Sequence, residues 1–200
     1  MRNITALIIF MTLLAGCIDG PDRHGVQCRD IGELPGGHLL LFGEMHGSIE
    51  APALIADVAC HLSLSGDVTI GLEIPATEQA QIDDYLASAG TAVAFMGNIH
   101  AMQEKFVVED FSMTPAGQLL EDLSPTSILI TYPKGTVCAC MPDCGVHDVA
   151  PRNPINGPSG FREGASMTGY SHTYLLGSIT ASPPASEGSK VELRQPPAGQ

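Results

Sequence analysis

Four short, largely apolar runs divide the first two thirds of the chain: Leu39–Phe42, Val68–Leu72, Ala92–Met96 and Ser127–Thr131. Each is bounded by glycine, proline or polar residues. Continuous runs of this length, without polar alternation, suit strands buried on both faces of a sheet. Between the first two, Leu54, Ile55, Val58 and Leu62 recur at three- and four-residue spacing, which predicts a helix over about 50–64. Ser48 is placed to cap that helix, and Pro52 sits in its first turn, where a missing N–H costs little. A shorter helix is expected from Thr77, carrying Ile82, Tyr85 and Leu86, and another from Thr114-Pro115 with Leu119, Leu120 and Leu123. Strand and helix thus alternate. The fold class expected is α/β: an open, mainly parallel sheet with right-handed crossovers, flanked by helices, in a single domain over 38–181. Residues 133–169 are rich in glycine, proline and cysteine and read as irregular, Thr173–Ile179 as a last strand, and 182–200 as a disordered tail.

The beginning of the chain reads as a targeting segment. Arg2 precedes an apolar run from Ile4 to Leu14, followed by Leu14-Ala15-Gly16-Cys17. A run of eleven residues suits a signal-peptide core but falls short of the ~20 that span a bilayer as a helix. The residues before Cys17 resemble the lipobox of bacterial lipoproteins. That resemblance implies cleavage after residue 16, acylation (palmitate among the chains) of Cys17, and a tether over 17–37. It also implies a lipid anchor in the cell envelope. Ile18 in place of aspartate implies the outer membrane, facing the periplasm.

Charge then narrows the partners. The formal charge is −13, and removing residues 1–16 takes away only Arg2, giving −14. A domain this acidic repels phosphate backbones, which excludes nucleic acid as a partner. The absence of tryptophan and the low aromatic content remove the usual stacking platforms for bases or flat sugars.

The charged residues that carry candidate chemistry fall at predicted strand ends. The first strand runs into Gly43-Glu44-Met45-His46-Gly47, the second into Gly71-Leu72-Glu73, and the third into Gly97-Asn98-Ile99-His100. In an open parallel sheet the carboxyl ends share one edge, where ligands bind. Glu44, His46, Glu73 and His100 would converge there as candidate catalytic residues. A carboxylate can orient a histidine that takes a proton from water. Alternatively, His46, Glu73 and His100 can ligate a divalent metal that acidifies a bound water. The glycines would let the chain turn off each strand.

The stretch Leu40–Pro75, with GEMHG and GLEIP, and the later GNIHA at 97–101 resemble the superfamily of erythromycin esterases, ChaN-like haem-binding lipoproteins and Tiki-type proteases. The resemblance implies the same four cleft residues, and either hydrolysis of a small-molecule or peptide substrate or non-catalytic binding of haem or a metal by a lipoprotein that hands it to an uptake system. The chain departs from that pattern after the second strand's helix, where Ser88-Ala89-Gly90 stands in place of a longer helical segment. A shortened homologue without activity is therefore a third reading. Haem iron takes His, Tyr, Met or Cys, and Met45, Tyr85, Tyr132, Tyr170 and Tyr174 are available, none of them in a haem-specific motif.

With Cys17 acylated, Cys28, Cys60, Cys138, Cys140 and Cys144 remain. In an oxidising compartment this odd number predicts two disulfides and one free thiol, with the pairing open. Cys138-x-Cys140-x3-Cys144 with His147 reads as a disulfide-stapled loop or, against the usual spacing, a zinc knot. His61 and His172 read as structural.

Overall fold

The computed structural model describes residues 27–72, 90–140, 143–152 and 154–183. The expected signal peptide with Cys17, the candidate Glu73, the helix from Thr77 with Tyr85, and the tail beyond 183 lie outside the described residues.

The four apolar runs form strands, and the last expected strand, Thr173–Ile179, forms only over His172–Leu175. In chain order the elements are β1 (Leu39–Glu44), α1 (Glu50–Ser63), β2 (Val68–Leu72) and β3 (Thr91–Gly97), then β4 (Phe106–Val108) and β5 (Phe111–Met113). A four-residue α2 (Ala116–Leu119), β6 (Thr126–Thr131), β7 (Gly135–Cys140), β8 (Cys144–Val149), β9 (Gly160–Glu163) and β10 (His172–Leu175) follow. Six strands form one mixed sheet in the order β2-β3-β1-β6-β10-β9. Its core is parallel, and only β9 runs antiparallel, against β10. The other four strands make two separate hairpins, β4–β5 and β7–β8.

Helix is sparser than the apolar periodicity suggests. Ser48 behaves as expected, its hydroxyl accepting from the Ala51 N–H at 3.3 Å, and α1 buries Ala51, Leu54, Ile55 and Val58. The helix expected from Thr114 stops after α2 and one 3-10 turn, Glu121–Leu123, which ends at Ser124 with a left-handed φ of 50°. Leu119 and Leu123 are exposed, so no buried stripe drives a longer helix there.

Alternation along β1 divides the interior. Leu40 and Phe42 face α1, with Val93, Ile128 and Ile130. Leu39 and Leu41 face the opposite side, with Ala101, Leu120 and Tyr170. Each such fully buried aliphatic or aromatic side chain contributes roughly 1.5–3 kcal/mol relative to exposure. The segment before β1 carries no regular element, yet Ile31 is buried in the α1-side cluster and Cys28 is bonded to Cys60 of α1. Order therefore begins before His38.

The route of the chain matters for function. From β1 it travels to the β2 edge and returns through β3; from β6 it travels the other way, to β10. The direction of travel thus divides between the neighbouring strands β1 and β6. In open parallel sheets a crevice opens at the carboxyl ends of such a pair.

Candidate functional site

The crevice is present where the strand order places it. A cleft of about 380 Å³ is lined by Met45, just after β1, Asn98, just after β3, and Tyr132, just after β6. Val149, Ala150 and Met167 supply apolar wall. Its size falls within the range of small-molecule sites, ~300–1,000 Å³.

Glu44 closes β1. Its backbone pairs with Gly97 of β3, and its carbonyl accepts from the Asn98 N–H at 2.9 Å. Burial comes with that position: Glu44 is 4% exposed. Two residues on, His46 stands with its side chain 63% exposed, and its Nδ1 lies 2.7 Å from Glu44 Oε1. A buried carboxylate facing a ring nitrogen makes Nδ1 the protonated one, so Nδ1–H donates to Glu44. A carboxylate that fixes the tautomer of an imidazole in this way is one means by which a general base is oriented.

Tyr132 completes the buried edge and was not placed in the catalytic set by sequence. Burial, and secondarily the charge of Glu44, raises its phenol pKa above the usual value near 10. Its hydroxyl donates to Met45 Sδ at 3.2 Å. No sequence motif marks this role; it follows from β6 lying beside β1 in register. Tyr170 is tied by its hydroxyl to the Asn98 carbonyl, and burial pushes its pKa well up. Tyr174 packs edge-on against Phe161 in the α1-side interior. Of the described haem-ligand types, Met45, Tyr132 and Met167 line the cleft.

His100 lies in the turn after β3, at the same sheet edge and exposed, with its backbone N–H on the Gly97 carbonyl. Glu44 and His46 are thus brought together directly, and His100 shares their edge. Among the described residues, no three His, Cys, Asp or Glu side chains form a group that could hold a metal ion. The described residues alone do not fit a metal centre.

Two glycines of the first motif have specific jobs, and for Gly43 the job is not a turn. Gly43 is inside β1, and a Cβ there would meet the Tyr170 hydroxyl at 2.1 Å. Gly47 has φ +105°, and its Cβ would meet the Cys138 carbonyl at 2.2 Å. The β7–β8 hairpin therefore docks closely on the loop that carries His46, with the Cys138 N–H donating to the Gly47 carbonyl at 2.9 Å.

The cysteines form two disulfides, Cys28–Cys60 and Cys140–Cys144, with Cys138 free. A zinc knot is not what forms, since His147 Nε2 points at the carbonyls of Ala139 and Asp143. His61 Nε2 bonds the Arg29 carbonyl at 2.7 Å, a structural role.

Comparison with protein-family models, curated proteins and solved structures gives no match. The likeness to the esterase and ChaN-like superfamily rests on the three short motifs alone. Among the described residues no helix is long and apolar enough to cross a membrane.

Proposed function

We propose that this chain is a lipid-anchored envelope protein with a hydrolase-like site, in which Glu44 orients His46 as general base beside an apolar cleft. The observation that carries the reading is the 2.7 Å pairing of a buried carboxylate with an exposed imidazole at the strand-order division. Nε2 of His46 takes a proton from water as that water attacks an ester or amide carbonyl held in the cleft. Glu44 stabilises the imidazolium that forms. His100, in the turn after β3, and Glu73, outside the described residues, belong to the same proposed set. The finer fold reading, an α/β domain with helices on the sheet's faces, is part of this proposal; the parallel order and the seating of α1 support it. So is attachment to a membrane through a lipid on Cys17, which rests on the Leu14–Cys17 sequence.

The test is a screen of ester and peptide substrates with the protein lacking residues 1–17, with and without Mn²⁺ or Zn²⁺. Positioned general bases contribute typically ~10²–10⁴-fold. Loss of turnover on that scale in His46→Ala is expected; a His46→Ala protein as active as the parent refutes the role.

A second reading, a non-catalytic haem-binding lipoprotein, is favoured by the Met45–Tyr132 contact, since both side chains are iron-ligand types facing an apolar cleft. Hemin titration separates the two. A Soret shift abolished by Tyr132→Phe supports it, and unchanged hemin absorption rejects it.

A further inference from the structure

Three cysteines share one face of the β7–β8 hairpin. Side chains on a strand alternate in direction, and directly opposed residues of an antiparallel pair lie close together. Cys140 opposes Cys144 in register and is bonded to it. Cys138 lies two residues earlier on β7, on the same face, and carries a free thiol. The opposite face holds Val137, which is buried, and Ala139, in a cluster with Tyr132 and Ile179. The cysteine face is thereby turned away from the interior: Cys140, Cys144 and Val146 are exposed.

The hairpin has ties besides its disulfide. Six register pairs join the strands. His147 Nε2 ties the turn at the Asp143 carbonyl, and β7 is docked through Cys138 N–H to Gly47 O and Thr136 N–H to Ile179 O. Cys28–Cys60 differs in kind. It spans 32 positions, pinning the segment that buries Ile31 onto α1.

From this arrangement we propose that the hairpin tip is a thiol–disulfide exchange site for cysteine thiols. Cys140–Cys144 is the exchanging bond and Cys138 the thiol that resolves the mixed disulfide. An incoming thiolate RS⁻ attacks Cys144 Sγ. The RS–Sγ bond forms, the Cys140–Cys144 bond breaks, and the electron pair leaves on Cys140 Sγ, which takes up a proton. The Cys138 thiolate then attacks Cys144 Sγ and expels RS⁻. That diagonal pair, about 7–8 Å apart in the ladder, bonds only with a backbone shift at the hairpin tip, so Cys140 displaces Cys138 in turn and restores the directly opposed pair. A second thiol that reaches the mixed disulfide first instead takes RS as RS–SR. In that branch two thiols are oxidised by two electrons and the protein disulfide is reduced to a dithiol.

The test uses the oxidised protein without variants first. Disulfide opening is followed by alkylation and peptide mass mapping, with glutathione in one arm and a reduced cysteine-containing peptide in the other. Opening of Cys140–Cys144 at least tenfold faster than Cys28–Cys60 in one or both arms is expected, and the faster arm identifies the source of the thiol. Equal rates in both arms overturn the proposal. In Cys138→Ser, with Cys28–Cys60 intact by mapping and an unchanged far-UV spectrum, the Cys144 mixed disulfide should accumulate several-fold over the parent. Accumulation equal to the parent's overturns the resolving role of Cys138.

Discussion

Gly43→Ala adds one methyl group at the most crowded point beneath the candidate site. The residue sits in β1 with no left-handed φ, so backbone strain does not enter. Sterics decide the outcome. The new Cβ would stand 2.1 Å from the Tyr170 hydroxyl, 2.9 Å from Ala101 Cβ and 3.0 Å from Tyr170 Cζ. Tyr170 must move, abandoning the Asn98 carbonyl that its hydroxyl now holds at the cleft wall. Overpacking of this kind costs ~1–3 kcal/mol, and leaving a buried hydroxyl unpaired costs ~1–3 kcal/mol more. Replacing a strand glycine by alanine returns at most about 1 kcal/mol. A net loss of about 3 kcal/mol is expected, which lowers the melting temperature by roughly 6–12 °C for a chain of this size. Urea or thermal unfolding followed by circular dichroism measures it. The control is Tyr170→Phe, which removes the clashing oxygen. The double variant should be at least ~1 kcal/mol more stable than the sum of the single losses, as expected for residues in contact. A Gly43→Ala protein within ~0.5 kcal/mol of the parent, or strictly additive losses, would refute the reasoning.

Other outcomes follow from the same geometry. Gly47→Ala should cost about 2 kcal/mol or more, since it combines φ +105° with a 2.2 Å approach to the Cys138 carbonyl, and unfolding measurements check it. Removing Cys28–Cys60 by Cys28→Ala with Cys60→Ala should cost roughly 3–4 kcal/mol in the chain-entropy picture, against about 2 kcal/mol or less for the short Cys140–Cys144 loop; equal losses would contradict this. Burial raises the phenol pKa values of Tyr132, Tyr170 and Tyr174 in the folded state. Their contribution is fully present below the unfolded value near pH 10 and is lost as pH rises through the folded values. Stability should therefore fall above about pH 10, by at most ~1.4 kcal/mol per pH unit for Tyr170, and Tyr170→Phe should shallow that slope.

Much of the sheet was legible because burial on both faces writes itself as unbroken apolar residues. Leu39–Phe42, Val68–Leu72, Ala92–Met96 and Ser127–Thr131 each lie inside a strand of the parallel core. The spacing of Leu54, Ile55 and Val58 gave α1 for the same reason. The hairpins were illegible. In β8, Cys144-Gly145-Val146-His147-Asp148-Val149 places its one large apolar exposed residue, Val146, outward, so no apolar face marks it as a strand. Leu119 and Leu123 misled in the opposite sense, suggesting a buried helical stripe where both are exposed. Within the site, Glu44 and His46 were readable from a charged pair placed where an apolar run ends. Tyr132 was not, because its place beside Glu44 depends on which strand neighbours β1, a non-local fact. The helical cover expected on the sheet is sparse among the described residues, where hairpins and irregular segments occupy much of the chain after β3.

The protonation of the His46 ring shows whether Glu44 orients it. Long-range ¹H–¹⁵N NMR correlations of the neutral imidazole should show the proton on Nδ1 in the parent protein, with that preference lost in Glu44→Gln. A ring protonated on Nε2, or one indifferent to the Glu44 substitution, would contradict the assignment of Glu44 as the group that orients His46.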